Sequence, residues 1–220
     1  GAFFGGGNGY LTRAKIVDCG AANNAIARNG TFDNCLFVGN TATEGGALLR
    51  GEGGSALYTH CAVLRNKSVS TRHGGILNDF RGTASVRNCL FAENETSFIG
   101  AGATFGFTVN VAPGAVVENC TIVSNYYSAT KTGGNPPATT NAVGFRTDGA
   151  LGTVRNCIIW GNYVKGVGMG DVETRSTVTY TCSSNDELTK GACAENHNLS
   201  ADPKFRNTTK GDYRLGAGSP

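Results

Sequence analysis

The sequence is poor in charge and in the residues that favour helices. Only 16% of its 220 residues are charged, the net charge is +3, and there is a single Met. Few strong helix formers beside many turn residues argue against a helical protein. The small, dispersed charge gives no reason to expect a nucleic-acid partner. No apolar run approaches the roughly 18 residues of a membrane-spanning helix, and no Cys/His spacing indicates zinc, so we predict no metal and no cofactor.

Glycine is abundant, with 33 residues, and 40% of the chain is hydrophobic, which is enough for a core. The dominant pattern is a repeated phrase: a Cys, an apolar residue two positions later, and an Asn five positions after the Cys. Its copies run from Cys35 to Asn40, Cys61 to Asn66, Cys89 to Asn94, Cys120 to Asn125 and Cys157 to Asn162, and a looser copy begins at Cys19. Self-similarity at such intervals is typical of stacked-repeat proteins.

Between the copies, short apolar runs alternate with Gly, Asn, Asp or Pro, which predicts short strands and turns. Strands that recur in every coil without hairpin turns stack in parallel on their counterparts in the next coil. We therefore predict an all-β fold, a right-handed parallel β-helix (solenoid). Residues 1–220 form one domain in this interpretation, with 180–220 as an irregular C-terminal closing segment. The chain starts at Gly1 without a visible signal peptide, which indicates a piece of a longer protein.

Stacking places equivalent residues above one another at roughly 4.8 Å. We expect the five Cys of the phrase to form one internal ladder and the five Asn another, with amides hydrogen-bonded along it. The ladder Asn residues are also expected to occupy left-handed corners. The interval 25–40 looks too short for a full coil. Residues 126–141 break the rhythm, so a projecting loop is expected there.

Two groups of motifs resemble known families. The first comprises Gly-Gly-Ala-Leu at 45–48, Phe-Val-Gly-Asn at 37–40 and Phe-Ala-Glu-Asn at 91–94. These resemble the GGA(I/L) and FxxN repeats of polymorphic outer-membrane-protein passengers. The tail, with Asp-Pro-Lys-Phe at 202–205, Gly-Asp-Tyr-Arg-Leu at 211–215 and Gly-Ser-Pro at 218–220, is similar to the closing segment of choice-of-anchor Q bacterial β-helix proteins. The resemblance spans nearly the whole chain. It implies an extracellular or bacterial cell-surface protein with an adhesive or carbohydrate-related role.

Carboxylates are the candidates for catalysis, because a glycan-cleaving β-helix enzyme needs acid and base groups on one outer face. Aligning the coils by their glycine pairs puts Arg50, Asp79, Gly106 and Asp148 at matched positions. Asp79 and Asp148 are then two rungs apart, roughly 10 Å, slightly beyond the range of about 6.5–9.5 Å of inverting glycosidases. Asp in such positions is equally well explained as a solvated turn residue.

Ligand-binding candidates fall into two groups. The first group lies beside the carboxylates and comprises Arg50, Arg72, His73 and Arg146. The second group lies on the predicted loop and comprises Tyr126 and Tyr127, because exposed aromatic residues favour recognition. The ladder cysteines are expected to be free, buried thiols, since parallel stacking is awkward for disulfides. Cys182 and Cys193 lie outside the phrase and are the best disulfide candidates.

Three functions fit the sequence. The first is a secreted or cell-surface module for adhesion, display or binding of a glycan or surface protein, without catalysis. The second is a polysaccharide lyase or glycoside hydrolase acting on an exterior face, which requires an acid–base cluster. The third is a structural element that stacks end to end, because no polar capping segment is evident.

Overall fold

The computed structural model describes residues 9–22, 25–43, 47–51, 56–70, 74–79, 84–100, 106–111, 114–131, 145–147, 153–164, 168–169, 171–173, 177–184 and 196–220. These residues form stacked parallel sheets, so the predicted all-β parallel β-helix is confirmed. Each coil passes through four sheets in a fixed order, here called sheets 1 to 4. Within the described part of the chain, no helix has the length and apolar character to cross a bilayer.

The strands of each sheet come from successive coils. Sheet 1 contains β4 (Ala27–Arg28), β8 (Leu49–Gly51), β12 (Gly74–Asp79), β16 (Gly106–Val111), β20 (Phe145–Thr147) and β25 (Val172–Glu173). Sheet 2 contains β1 (Tyr10–Thr12), β5 (Gly30–Asp33), β9 (Ala56–Thr59), β13 (Ser85–Arg87), β17 (Val116–Glu118), β21 (Thr153–Arg155) and β26 (Thr177–Thr179). Sheet 3 contains β2 (Lys15–Val17), β6 (Leu36–Val38), β10 (Ala62–Leu64), β14 (Leu90–Ala92), β18 (Thr121–Val123), β22 (Ile158–Trp160) and β27 (Cys182–Ser183).

Sheet 4 completes the coil and ends differently from the others. It contains β3 (Gly20–Ala22), β7 (Thr41–Thr43), β11 (Lys67–Ser70), β15 (Glu95–Gly100), β19 (Tyr126–Lys131), β23 (Tyr163–Val164) and β24 (Gly168–Met169). The pairing of β23 with β24 is antiparallel, whereas the other pairs in this sheet are parallel. The chain therefore reverses direction after β23, at the far end of the sheet.

Alternate side chains of each strand fill the interior of the coil. In the last complete copy of the phrase, Val154, Cys157 and Ile159 are buried, as the pattern predicted. Inward residues from successive coils merge into one hydrophobic cluster that extends from Ile16 to Val178. Burying an aliphatic or aromatic side chain contributes about 1.5–3 kcal/mol, so every coil adds to the stability of its neighbours.

The cysteine ladder is confirmed. Its members are Cys35, Cys61, Cys89, Cys120 and Cys157, all buried free thiols. Each Sγ donates to the carbonyl oxygen two residues earlier, at 3.1–3.4 Å. Burial raises the pKa of the Cys35 thiol, and the contact with the Cys120 thiol, together with burial, raises the pKa of Cys157. Thr181 continues the ladder, and its hydroxyl donates to the carbonyl of Thr179 at 3.0 Å.

The asparagine ladder is also confirmed. The Nδ2 groups of Asn40, Asn66, Asn94 and Asn125 donate to Oδ1 of the next ladder Asn at 2.9, 3.0, 2.8 and 2.8 Å. Each Nδ2 also donates to a backbone carbonyl of the preceding coil, as Asn94 does to Val63 at 2.8 Å. All five amides are at most 1% exposed. Buried polar groups are tolerated here because they are hydrogen-bonded.

The ladder ends at a buried carboxylate. Asp171 is 1% exposed, and its Oδ1 accepts from the backbone N–H and the Nδ2 of Asn162 at 2.8 and 2.9 Å. Its Oδ2 accepts from the backbone N–H of Ser184 at 2.9 Å and from the Ser184 hydroxyl. Burial raises the pKa of Asp171, although the hydrogen bonds from Ser184 and Asn162 oppose that shift. A carboxylate suits the end of the ladder because both of its oxygens accept.

The prediction that ladder Asn residues occupy left-handed corners is wrong. The residue before each ladder Asn has positive φ: Gly39 (66°), Arg65 (51°), Glu93 (58°), Ser124 (54°) and Gly161 (66°). The corner residue turns the chain and lies outside the core, whereas the ladder Asn must direct its amide inward along the solenoid axis. One residue cannot serve both purposes.

The first coil also differs from the prediction. The backbone N–H of Cys19 donates to Oδ1 of Asn40 at 3.0 Å, so Cys19 occupies the position of an asparagine-ladder residue. The apparent copy of the phrase at Cys19 is therefore out of register with the cysteine ladder. The coil from Cys19 to Asn40 spans 21 residues and is a full turn, which resolves the apparently short interval 25–40.

The closing segment ends in a hairpin that folds back over sheet 3. Strands β28 (Phe205–Asn207) and β29 (Asp212–Leu215) pair antiparallel and are joined by a 3₁₀ turn at Thr208–Lys210. The Tyr213 hydroxyl donates to Oε1 of Glu93 at 2.6 Å, across 120 residues of sequence. Ala92 and Val123, which alternation places on the outer side of sheet 3, are each only 1% exposed.

Candidate functional site

The strand register separates Asp79 from Arg50. Arg50 pairs with Asn78, and Asp79 pairs with Gly51. For these two coils the alignment by glycine pairs is therefore wrong by one residue, and such a shift moves a position to the other face of the strand. The reason is local: Leu49 follows Gly46 by three residues, but its partner Leu77 follows Gly75 by two. For Gly106 the alignment is wrong by five residues, because Gly106 pairs with Gly74 rather than with Asp79.

Arg146 does share a row with Arg50 on sheet 1. The register runs from Arg50 through Asn78 and Asn110 to Arg146, so two of the predicted ligand-binding residues are three rungs apart. Burial and the charge of Arg28 on the adjacent rung lower the pKa of Arg50. Asn110 is fully buried, so this row is not an open surface along its whole length.

Four other predicted residues fall outside the described part of the chain, namely Arg72, His73, Asp148 and Cys193. The carboxylate pair Asp79/Asp148 therefore stays a prediction, whereas the structure does not contain the predicted disulfide of Cys182 with Cys193. Cys182 itself is a half-buried free thiol whose Sγ donates to the carbonyl of Ala201 at 3.1 Å.

Tyr126 and Tyr127 lie in strand β19, so the predicted loop is wrong for residues 126–131, and residues 132–144 are outside the described part. Because successive side chains alternate in a strand, Tyr127 is buried at 4% exposure, whereas Tyr126 is on the outer face. Tyr126 stacks on Tyr163, with ring centroids 5.6 Å apart. Of the two predicted tyrosines, only Tyr126 is placed to contact a ligand.

Glu95 anchors a polar cluster around Tyr126 on the outside of sheet 4. Its carboxylate accepts from the Tyr126 hydroxyl at 2.9 Å and the Ser97 hydroxyl at 2.5 Å, and pairs with Lys67 Nζ at 3.0 Å. Burial and the Glu95 carboxylate raise the pKa of Tyr126 to about 12. The polar groups of this cluster bind one another, so it resembles a surface network more than a receptive site.

A more open site follows the corner between sheets 2 and 3. The residue at this corner of each coil has positive φ, and these residues form what we call the corner row: Arg13, Asn34, His60, Asn88, Asn119, Asn156, Tyr180 and His197. All eight are exposed. In each phrase the corner residue directly precedes the buried cysteine-ladder position, so the same turn that buries the Cys presents the preceding side chain to solvent.

The corner row lines a groove made of three adjoining cavities. The first, of about 590 Å³, is lined by Tyr10, Thr12, Arg13, Asp33, Asn34 and His60. The second, of about 610 Å³, shares His60 and continues through Asn88 and Asn119. The third, of about 300 Å³, begins at Asn156, one rung beyond Asn119.

The closing hairpin forms one wall of this groove. Asp212, Tyr213 and Arg214 line the second cavity opposite Asn88 and Asn119, and Leu215, Ser219 and Pro220 line the third. The hydrogen bond from Tyr213 to Glu93 fixes the hairpin across sheet 3. A groove between two elements of the chain is a common setting for a ligand site.

Aromatic side chains mark both ends of the groove. Tyr10 is 65% exposed in the first cavity, and Tyr180 is 59% exposed in the third. Tyr180 stacks on His197 of the next rung with ring centroids 4.9 Å apart. Exposed aromatic rings of this kind offer an apolar face beside polar groups.

The carboxylates of Asp33 and Asp212 are hydrogen-bonded to neighbouring side chains. Asp33 Oδ1 accepts from the Thr59 hydroxyl at 2.6 Å and lies 3.1 Å from His60 Nδ1. These hydrogen bonds, with a further contribution from the charge of Arg13, lower the pKa of Asp33. Arg214 donates to both oxygens of Asp212 at 2.8 and 2.7 Å, which lowers the pKa of Asp212 to about 2.

The recurrence of amides in the corner row exceeds what the backbone requires. The corner between sheets 3 and 4 has the same positive φ, yet its residues are Asp18, Gly39, Arg65, Glu93, Ser124 and Gly161. Asn is enriched in left-handed conformations, but this second corner shows that the chain tolerates other residues there. Four of the eight corner-row residues are Asn, whereas none of these six residues at the second corner is.

The corner row is not among the predicted sites, although the sequence carries a signal for it. The Asn of the Asn-Cys dipeptide recurs at positions 34, 88, 119 and 156. Its exposure depends on the turn geometry, which the pattern alone does not give. The described residues contain no group of three or more His, Cys, Asp or Glu side chains able to hold a metal ion.

Comparison of the chain with models of protein families, with curated protein sequences and with solved structures finds no match.

Proposed function

We propose that this protein is a secreted or cell-surface β-helix module that binds a glycan along the corner groove without catalysis. The observation that carries the proposal is the corner row, with its four exposed amides and His60 arranged one rung apart. Amides donate and accept, so they suit ligands rich in hydroxyl groups. The tyrosines at the two ends supply apolar faces for stacking.

The state of the groove carboxylates supports binding rather than cleavage. A general acid needs a raised pKa, whereas the pKa values of Asp33 and Asp212 are lowered by their hydrogen-bonding partners. A polysaccharide lyase or glycoside hydrolase is the second candidate function, because Asp79 and Asp148 stay possible acid–base residues. End-to-end structural stacking is the third.

A glycan array combined with a product assay on the same polysaccharides tests the proposal. The variant Asn34→Gly/Asn88→Gly/Asn119→Gly/Asn156→Gly removes the four amides, and glycine accepts positive φ without strain. A control, Asp18→Gly, makes the same kind of change at the other corner. We expect wild type and control to bind without releasing product and the amide variant to lose binding at least tenfold. Equal binding by all three proteins would rule out the groove, and product release would favour an enzyme.

A further inference from the structure

We infer that the ligand of the corner groove is a neutral, extended polysaccharide, held along its length by successive rungs. This inference rests on the proposed glycan-binding function and adds the class of glycan. It follows from three observations: the pairing of the charges in the groove, the regular spacing of its amides, and its length relative to a single sugar.

The charged groups of the groove favour a neutral ligand. The described lining of the groove contains two carboxylates, Asp33 and Asp212, each accompanied by a guanidinium group. Asp33 shares the first cavity with Arg13 and is hydrogen-bonded to His60, and Asp212 accepts from Nε and Nη2 of Arg214. An anionic polymer would have to compete with these carboxylates for the cations. A cationic polymer would have to displace the cations from the carboxylates. A neutral polymer meets neither cost.

The amides supply recognition without charge. Asn88 and Asn119 lie on adjacent rungs of the second cavity, opposite the hairpin wall. Each amide offers two N–H donors and one oxygen acceptor, which matches hydroxyl groups that both donate and accept. The Asn88 amide lies 3.4 Å from His60 Nε2, so neighbouring rungs form one continuous polar strip.

The length of the row indicates a polymer. Eight corner residues separated by rung spacings of about 4.8 Å extend over roughly 34 Å, from Arg13 to His197. This is several times the size of one sugar ring, and the stacked rings of Tyr180 and His197 lie at one end. A chain that follows the row gains a similar set of contacts at each rung, so affinity should rise with chain length until the row is filled.

Binding of soluble neutral polysaccharides and of polygalacturonate to the whole chain, each at low and high salt, tests the inference. We expect the neutral polymers to bind with less than a twofold change between 50 and 500 mM salt, since uncharged contacts are not screened. Longer oligosaccharides of the bound polymer should bind at least tenfold more tightly than its disaccharide. The four-amide glycine variant should lose this binding.

A gain-of-function variant gives the sharper test. Asp33→Asn/Asp212→Asn leaves Arg13 and Arg214 uncompensated, and we expect it to gain at least tenfold in salt-sensitive affinity for polygalacturonate. Asp18→Asn, an exposed carboxylate at the other corner, is the control and should gain nothing.

The outcomes separate the two proposals. Salt-sensitive wild-type binding of polygalacturonate that the four glycines abolish would overturn the neutral class and leave glycan binding intact, and so would a failure of the double Asn variant to gain affinity. Wild-type binding of a protein or peptide in the groove, or no polysaccharide binding that depends on the amides, would overturn both.

Discussion

Asn88 and Asn94 lie six residues apart in one coil and have opposite environments. Asn88 is exposed at a left-handed corner of the groove, whereas Asn94 is 1% exposed and hydrogen-bonded along the solenoid axis. The same residue type therefore occupies an exposed corner on the outside and a buried, hydrogen-bonded ladder on the inside. Substitution of each residue in turn therefore tests which of the two positions contributes to stability.

Asn94→Ala should lower the free energy of unfolding by about 3–5 kcal/mol, because leaving a buried donor or acceptor unsatisfied costs about 1–3 kcal/mol each. The substitution removes partners of Val63, Asn66 and Asn125. Asn88→Gly should change the free energy of unfolding by less than about 1 kcal/mol, since glycine suits positive φ. Denaturant unfolding of both variants provides the measurement. A similar effect of the two changes would contradict the assignment of inner and outer roles.

The cysteine ladder should be chemically inert in the folded state. Only a thiolate reacts readily, and the ladder thiols are at most 3% exposed. An Ellman assay of native protein should show the half-buried Cys19 and Cys182 reacting first, and the five ladder thiols only after unfolding. Rapid labelling of Cys89 in native protein would show that the core is more open than described.

Asp171 should make stability depend on pH. Its folded-state pKa is raised above 3.8, so in the window just above 3.8 the folded state holds a proton that the unfolded state releases. Rising pH therefore favours unfolding, by at most about 1.4 kcal/mol per pH unit for one group. Unfolding of wild type and Asp171→Asn across this window isolates the effect, because the variant lacks the titrating group. Wild type should lose stability relative to the variant as pH rises, and a gain would reverse the assigned sign.

Tyr213→Phe should loosen the closing hairpin. The change removes one hydrogen bond to Glu93, which is worth about 1 kcal/mol, or up to about 3 for a charged acceptor. We expect faster hydrogen exchange at Asp212–Leu215 and weaker ligand binding, because these residues form the groove wall. Tyr163→Phe, on the outside of sheet 4, serves as the control. Unchanged exchange in Tyr213→Phe would mean that other contacts hold the hairpin.

The repeat unit could be predicted from the sequence because it depends on local rules. Inward Cys and Asn ladders follow from the spacing of Cys61 and Asn66 and its recurrence, and the structure confirms both. Tyr127 illustrates the limit: alternation within β19 determines that it is buried, but the sequence suggested a loop there. Cys19 illustrates another, since only the hydrogen bond to Asn40 shows its true register.

The site was harder to predict because it joins distant parts of the chain. The groove needs the hairpin to return over 120 residues to Glu93, and no local pattern encodes that contact. The one-residue error between Arg50 and Asp79 has a local origin instead, because the glycine pair precedes Leu49 by three residues and its partner Leu77 by two. Turn geometry therefore determines the strand register and the position of the hairpin, which the residue pattern does not specify.

Titration of the polysaccharide bound on the array against wild type, the four-amide glycine variant and the Asp18→Gly control is the most direct test of the account. The account predicts equal affinity for wild type and control, and at least a tenfold loss of affinity for an amide variant that stays folded. Undiminished binding by a stable, folded amide variant would contradict the assignment of the corner groove as the site.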